Sequence, residues 1–129
     1  MSIFCFSFNT DRLEEDVKNL SYVYTVALDG DHLVVRDFNL PPGYNWDSIP
    51  VLLKLPGDYP ESPPGVGSSK VFVPTGLLFG GRIPNDYHEN SGPDEKWAWW
   101  CYEWIKWNTC RDDLITFFEL LRAHMTNPT

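Results

Sequence analysis

The sequence has few basic residues, few cysteines and no long apolar run. Its ten Lys and Arg residues stand against eighteen Asp and Glu residues, which gives a formal net charge of -8 at pH 7. Nucleic acid backbones and anionic membrane surfaces attract basic patches, so this acidic balance argues against both as partners. No apolar stretch reaches the roughly 20 residues of a membrane span. The apolar start lacks the basic residues and the cleavage site of a signal peptide.

The three cysteines, Cys5, Cys101 and Cys110, are an odd number without compact CxxC spacing. This pattern favours neither a disulfide framework nor a zinc site, and the sequence indicates no cofactor. We expect Cys5 to pack in the N-terminal apolar run. A reducing cytoplasm fits this cysteine usage best, and it leaves a thiol able to react.

The chain is long enough for one hydrophobic core. With 129 residues, 43% hydrophobic and 16% aromatic, it has no room for a second domain of ordinary size, so we expect one domain over residues 1–129. The segment 10–20 begins with cap-type residues and predicts an amphipathic helix. Its apolar side chains follow helical spacing, at Leu13, Val17 and Leu20.

The chain after this helix predicts an antiparallel sheet. Four runs are rich in β-forming residues, at 22–26, 33–38, 49–55 and 71–73. The step Asp29-Gly30 separates the first two runs and is a strong hairpin signal, because glycine adopts positive φ easily. We therefore expect a four-stranded meander and, with the helices, an α+β fold.

Irregular structure is expected on both sides of the fourth strand. Residues 56–65 read PGDYPESPPG, and their prolines lack the backbone donor that a helix or a central strand needs. They predict a fixed, extended surface loop. Residues 74–96 show no sustained periodicity and predict a long irregular active-site segment.

A final helix is predicted to begin near Arg111. Its apolar residues fall on one face, at Leu114, Phe117, Phe118, Leu121 and Met125. Thr109 and Asp112 are spaced as a capping box, and Asn127-Pro128 is expected to end the helix.

Several of these features resemble ubiquitin-conjugating enzymes. A strand entering a YPxxPP loop is a hallmark of that family, and here the strand is followed by YPESPP at 59–64. The family then carries His-Pro-Asn, a catalytic cysteine, and a tryptophan before the next helix. This chain has Ile-Pro-Asn at 83–85, then Cys101 and Trp107, in the same order.

Two departures place the chain with divergent bacterial relatives. Ile83 replaces the histidine, and the 16 positions from Asn85 to Cys101 exceed the usual spacing. The turn LPPGYN at 40–45 is similar to one in bacterial members found beside ubiquitin-like proteins, activating enzymes and metal-dependent deubiquitinases. The chain is therefore identified as a divergent bacterial member of the superfamily, with the resemblance covering about residues 22–125.

The resemblance implies an acyl transfer. Cys101 would accept the C-terminus of a ubiquitin-like protein as a thioester from an activating enzyme and pass it to the amine of a target protein. Asn85 would brace the loop or stabilise the oxyanion, while Asp86, Glu89 or Asp94 could orient the incoming lysine. Bacterial systems of this kind have been associated with defence against phage.

Other interpretations remain open at this point. Cys101 could be an inert core residue, and the chain a catalytically inactive binding module that docks a ubiquitin-like protein or an activating enzyme. Cys110 lies near a helix start, where the dipole lowers a thiol pKa, which makes it an alternative acceptor. His88 and His124 raise the option of a Cys-His protease pair.

The histidines and the tryptophans are expected to have the following places in the fold. His124 is expected to be a surface residue near a helix C-terminus, and His32 a strand or turn residue. Residues 97–107 hold five of the six tryptophans. Trp107 is expected to pack under the last helix, whereas three others are candidates for contact with a partner, namely Trp97, Trp99 and Trp100.

Overall fold

A computed structural model of the chain describes residues 9–89, 91–102, 106–126 and 128. Within those ranges the elements are α1 (Asn9–Leu20), β1 (Val26–Asp29), β2 (His32–Asn39), β3 (Ser48–Lys54), β4 (Lys70–Pro74), β5 (Tyr87–His88), β6 (Trp97–Trp100) and α2 (Leu114–Met125). The predicted α+β class is confirmed. No helix in the described part of the chain is both long and apolar enough to cross a membrane.

The strands form one antiparallel sheet in the order β1-β2-β3-β4-β6-β5. The first four follow one another as a meander, but the predicted count of four strands is corrected to six. In the β6 pairing with β4, Val71 lies opposite Trp100. β5 has two residues, too few to show alternation, and the sequence of β6 is apolar at every position. Neither strand therefore carried a recognisable signal.

The first strand begins later than the sequence predicts, at Val26. The backbone N–H groups of residues 22–24 still donate to carbonyls in the last turn of α1. Local bonds at the helix end therefore outweigh the β-forming character of these residues. The predicted turn follows β1, and Gly30 takes a φ of 62° there.

The buried face of α2 agrees with the predicted periodicity and comprises Leu114, Phe117, Phe118, Leu121 and Met125. The predicted capping box is corrected. Asp113 is the N-cap and accepts the Thr116 backbone N–H at 2.9 Å. The carboxylate of Asp112 accepts the backbone N–H of Asn108 at 2.7 Å, and so belongs to the preceding turn. Thr126 is the C-cap, whereas Asn127 lies outside the described residues.

The proline-rich loop at 59–64 is anchored in the fold at both ends, while Glu61 between them is exposed. Tyr59, Pro60 and Pro64 are all buried. The sequence prediction of a surface loop is therefore wrong for these side chains. Proline has no backbone N–H to donate to a sheet ladder, but its apolar ring packs as well as other apolar side chains.

A set of four side chains, which we call the brace, holds this loop: Arg12, Asp16, Tyr59 and Trp107. The Tyr59 hydroxyl donates to the carboxylate of Asp16 in α1, and Arg12 forms an ion pair with the same carboxylate at 3.0 Å. The Trp107 Nε1–H donates to the Pro60 carbonyl at 2.8 Å. Trp107 thus contacts the proline-rich loop, a partner that the sequence did not indicate.

β5 and β6 form a hairpin. His88 lies opposite Trp99, and Tyr87 lies opposite Trp100. Gly92 lies in the connection between the strands, where an added Cβ would approach the Trp97 carbonyl oxygen to 2.2 Å. Only glycine fits at this close approach. Part of the segment predicted to be irregular is therefore a strand pair.

Candidate functional site

Cys101 follows directly after β6, and its backbone is hydrogen-bonded to the turn that precedes β5. Its backbone N–H donates to the carbonyl of Asp86 at 2.8 Å. This bond continues the ladder by one residue, since Tyr87 lies opposite Trp100. Asn85 is therefore next in sequence to a residue that contacts Cys101. The hairpin therefore brings Asn85 and Cys101, which are 16 positions apart in sequence, to the same end of the strand pair.

The turn with Asn85 is set by its own backbone. The Tyr87 N–H donates to the carbonyl of Pro84 at 3.1 Å, and Pro84 is buried. Asn85 and Ile83 are both exposed, Ile83 to 67%. The two predicted site residues, Cys101 and Asn85, thus lie at one end of the same hairpin. Ile83, at the position of the family's histidine, presents an apolar side chain to solvent.

The side chains around Cys101 alternate between the two faces of the sheet. Trp100 and Tyr102 are both buried, and both rings contact His124 of α2. In an extended chain the residue between them faces the other way. Cys101 is half-buried, and the alternation directs its side chain to the face away from α2.

Within the sheet, Cys101 has Asp86 as its neighbour on the β5 side and Lys70 as its neighbour on the β4 side. The β4–β6 register pairs Val71 with Trp100, so one further step sets Lys70 opposite Cys101. The Lys70 ammonium sits 4.2 Å from the centre of the Trp99 ring, on the face to which the thiol is directed. A cation beside a thiol favours the thiolate. The sequence analysis did not single out Lys70, because only the register relates it to Cys101.

His124 is half-buried, and the prediction of a surface residue is wrong. Its Nε2 lies 3.3 Å from a carboxylate oxygen of Asp86. Its Nδ1 lies 3.3 Å from the Trp100 Nε1, and its ring stacks on Tyr102 at 4.4 Å between centroids. His124 is in the last turn of α2, and the rings of Trp100 and Tyr102 cover its side chain on the side of the sheet.

Burial controls the electrostatics of this region. It lowers the pKa of His124, while the Asp86 carboxylate opposes that effect. Burial also raises the pKa of Tyr44, and the charge of Asp86 adds to the rise. The His124 imidazole is therefore neutral at pH 7, with the Asp86 carboxylate 3.3 Å from its Nε2.

The other cysteine and histidines contribute less. Cys110 is disulfide-bonded, which removes it as an alternative acceptor thiol and corrects the expectation that no disulfide forms. Odd cysteine counts and wide spacing do not indicate such a bond. His88 lies on β5 with its ring tilted by 31° against Trp99 at 4.9 Å between centroids, and His32 is in β2 as expected. Cys5 lies outside the described residues.

The tryptophans divide between the two faces of β6. Trp97 and Trp99 are partly exposed, whereas Trp100 is fully buried, so it cannot be a contact for a partner as predicted. The indole nitrogen of Trp99 is buried without a hydrogen-bond partner. Among the described residues, no group of three or more His, Cys, Asp or Glu side chains could hold a metal ion.

Comparison with known protein families identifies the family of this chain. The model of the family described as Prokaryotic E2 family E matches residues 10–127, which is most of the chain. No curated protein matches, and no solved structure matches. The chain belongs to this family of divergent bacterial relatives of ubiquitin-conjugating enzymes, as the resemblance of its motifs indicated.

Proposed function

From membership of prokaryotic E2 family E, we propose that the chain is a conjugating enzyme for a ubiquitin-like protein and that Cys101 is its acceptor. The family itself indicates a role in ubiquitin-like conjugation. The observation that carries the assignment to Cys101 is the backbone bond of 2.8 Å from its N–H to Asp86. That bond brings the Ile-Pro-Asn turn beside the cysteine, in the order the superfamily uses.

The proposed reaction has two acyl transfers. The Cys101 sulfur attacks the carbonyl carbon of a ubiquitin-like C-terminus held as a thioester on an activating enzyme. A new S–C bond forms, the old S–C bond breaks, and the activating enzyme's thiol leaves. A target amine then attacks the same carbonyl, a C–N bond forms, the nitrogen gives up a proton to solvent, and Cys101 leaves as thiolate. A thioester suits this sequence because it reacts readily with amines.

Two neighbours support the chemistry. Lys70 is opposite Cys101 by register and its ammonium lies over the Trp99 ring, and we propose that its positive charge favours the thiolate. Asn85 is exposed at the turn beside Cys101, and its amide is proposed to brace this loop or to stabilise the oxyanion. The Asp86 carboxylate is bound by His124 on the α2 side, which makes it a poor candidate to orient an incoming amine.

The proposed partners are a ubiquitin-like protein, an activating enzyme and a target protein amine. The net charge of -8 opposes binding to nucleic acid or to an anionic membrane surface. We propose a cytoplasmic, bacterial ubiquitination-like pathway, and antiphage defence is the first pathway to test. The genes beside this one would identify the ubiquitin-like protein and the activating enzyme.

The test is adduct formation with the neighbouring activating enzyme, ATP and the ubiquitin-like protein. The wild type should give an adduct that a thiol reductant cleaves. Cys101→Ala should abolish it, and Cys101→Ser should give an adduct that resists the reductant but is cleaved by mild alkali, because an oxyester forms. Asn85→Ala should slow the discharge to an amine, and Ser91→Ala in the exposed β5–β6 connection is the control.

An adduct that survives Cys101→Ala would overturn the assignment of the acceptor. A wild type that binds the ubiquitin-like protein but forms no reductant-sensitive adduct, together with full biological activity of Cys101→Ser, would instead establish a binding module.

A further inference from the structure

One imidazole contacts three points around Cys101. The Nε2 of His124 lies 3.3 Å from the carboxylate of Asp86, whose carbonyl accepts the Cys101 N–H. The Nδ1 lies 3.3 Å from the Trp100 indole nitrogen, and the ring stacks on Tyr102 with an interplanar angle of 24°. Trp100 and Tyr102 are the residues immediately before and after Cys101. His124 therefore contacts both chain neighbours of the cysteine and also Asp86, the hydrogen-bond partner of the cysteine backbone.

The proton positions follow from these partners. An indole N–H can only donate, so Nδ1 of His124 accepts from Trp100. The proton of the neutral ring is then on Nε2, where it faces a carboxylate oxygen of Asp86. The ring is fixed as one neutral tautomer with a donor on one side and an acceptor on the other. A second proton on Nδ1 would meet the Trp100 N–H and break that hydrogen bond.

The thiol itself is directed to the opposite face of the sheet. Trp100 and Tyr102 turn toward α2, so the side chain of Cys101 turns away from it. Any effect of His124 on the sulfur must therefore act through the backbone. The bond between the Cys101 N–H and the Asp86 carbonyl is the route that the hydrogen bonds define.

We infer that His124 is a positioning residue, which fixes the backbone of Cys101 by holding Asp86, Trp100 and Tyr102 in place from α2. We call it a positioning and not a catalytic residue because its contacts are with Asp86, Trp100 and Tyr102, on the face of the sheet away from the thiol. That this positioning serves acyl transfer rests on the proposed function. The positioning itself is a property of the chain alone, so it can be measured without partner proteins.

The titratable groups around the ring define the pH behaviour. The Asp86 carboxylate faces it from the turn before β5, and the Tyr102 phenol from the chain after β6. Tyr44 lies close enough to Asp86 for that charge to contribute to its raised pKa. Burial lowers the pKa of His124 below its ordinary value of 6.5. Acid should therefore disrupt the arrangement only below that pH.

The first experiment is an acid titration followed by NMR of the full chain. The Trp100 indole N–H and the Cys101 backbone N–H should shift together in the wild type, with a midpoint below pH 6.5. In His124→Gln the amide retains a donor and an acceptor without titrating, so both signals should stay constant over that range. His88→Gln, in the exposed histidine of β5, should leave the coupled shift unchanged.

The second experiment measures adduct formation at pH 7.5. His124→Phe keeps an aromatic ring on Tyr102 but has neither hydrogen bond, and we expect a rate roughly tenfold to a hundredfold lower, as small misplacements of a reacting group produce. The rate for His124→Gln should stay within about threefold of the wild-type rate, because the glutamine amide can make both hydrogen bonds again. Circular dichroism of each variant verifies folding at the assay temperature.

Two results would overturn the inference: a Cys101 N–H signal that does not follow the Trp100 indole, or a His124→Phe variant that reacts at the wild-type rate. Failure of the proposed function gives a different result. In that case no variant forms an adduct, including the wild type, while the coupled NMR shift remains.

Discussion

The brace and the surroundings of Cys101 lie on two parts of the same fold and are stabilised in different ways. The brace is centred on a buried carboxylate, Asp16, which receives Arg12 at 3.0 Å and the Tyr59 hydroxyl. Cys101 is hydrogen-bonded to a turn in which Asn85 is exposed and Asp86 is half-buried, and a neutral His124 contacts Asp86 and Trp100 at 3.3 Å. Burial raises the pKa of Asp16 and lowers that of His124, so it disfavours the charged form of both groups.

This difference indicates a division of labour. The YPESPP loop, which carries the resemblance to conjugating enzymes, is part of the structural framework through Tyr59 and Trp107. Around Cys101, the contacts of His124 with Asp86 and Trp100 are both 3.3 Å long, against 2.8 Å for the Trp107 hydrogen bond to the loop. The following predictions test the separation between the two regions, from the largest expected effect to the smallest.

Asp16→Ala should give the largest loss of stability. It leaves the Tyr59 hydroxyl without its acceptor and the Arg12 guanidinium with only the Thr109 and Asp112 carbonyls, and breaking a buried ion pair costs roughly 3 kcal/mol. Urea denaturation followed by tryptophan fluorescence measures the loss. Glu15→Ala, at the exposed neighbouring position of α1, should change the free energy of unfolding by less than about 0.5 kcal/mol.

The separation also predicts that Cys101 in the Asp16→Ala variant reacts with a small alkylating reagent at the wild-type rate, when the variant is assayed well below its unfolding temperature. A large change in that rate would mean that the brace and the cysteine are coupled.

Trp107→Phe should have an intermediate effect. The substitution keeps an aromatic ring near Tyr59 but removes the donor to the Pro60 carbonyl, and an unsatisfied carbonyl costs about 1 to 2 kcal/mol. Thermal denaturation is the measurement. Trp46→Phe is the matched control because that ring is 40% exposed. Equal losses for the two variants would show that the hydrogen bond to the loop contributes nothing.

The smallest effect concerns pH. Because the folded-state pKa of His124 is below 6.5, the unfolded chain takes up its proton first as the pH falls. The stability contribution of His124 is therefore complete above pH 6.5 and is lost as the pH falls through the folded pKa. We expect the wild type to lose more stability than His124→Gln between pH 7.5 and 5, by urea denaturation at each pH.

The comparison with His124→Gln isolates this group. Burial raises the pKa of Asp16, which has the opposite sign: it favours the folded state at low pH, and that contribution is lost as the pH rises through the folded pKa. Asp16 is the same in both proteins, so its contribution cancels. Identical pH dependence of the two proteins would contradict a neutral, buried His124.

Much of the fold could be predicted because its signals are local. The helical spacing from Leu114 to Met125 marks a face that is buried as expected, and the turn at Gly30 is where the Asp-Gly step predicts it. The exact cap of α2 was not predictable, since Asp112 and Asp113 are both cap-type residues and only the backbone geometry selects between them. Strand β5 is too short to leave any periodic signal.

The sequence by itself determined the family and the identity of the candidate thiol. The loop at 59–64, the turn at 83–85 and Cys101 occur in the order of conjugating enzymes, and the match over residues 10–127 confirms that the chain belongs to a bacterial branch of that superfamily. Such motifs are readable because each is a short run of consecutive residues.

Only the tertiary structure decided what surrounds Cys101. Asp86 and Lys70 lie beside it through strand pairing, and His124 contacts its chain neighbours through the packing of α2 on the sheet. A hydrogen bond or a register between distant residues requires no fixed spacing in sequence. The positions that support the cysteine therefore became visible only when the hairpin and α2 were in place.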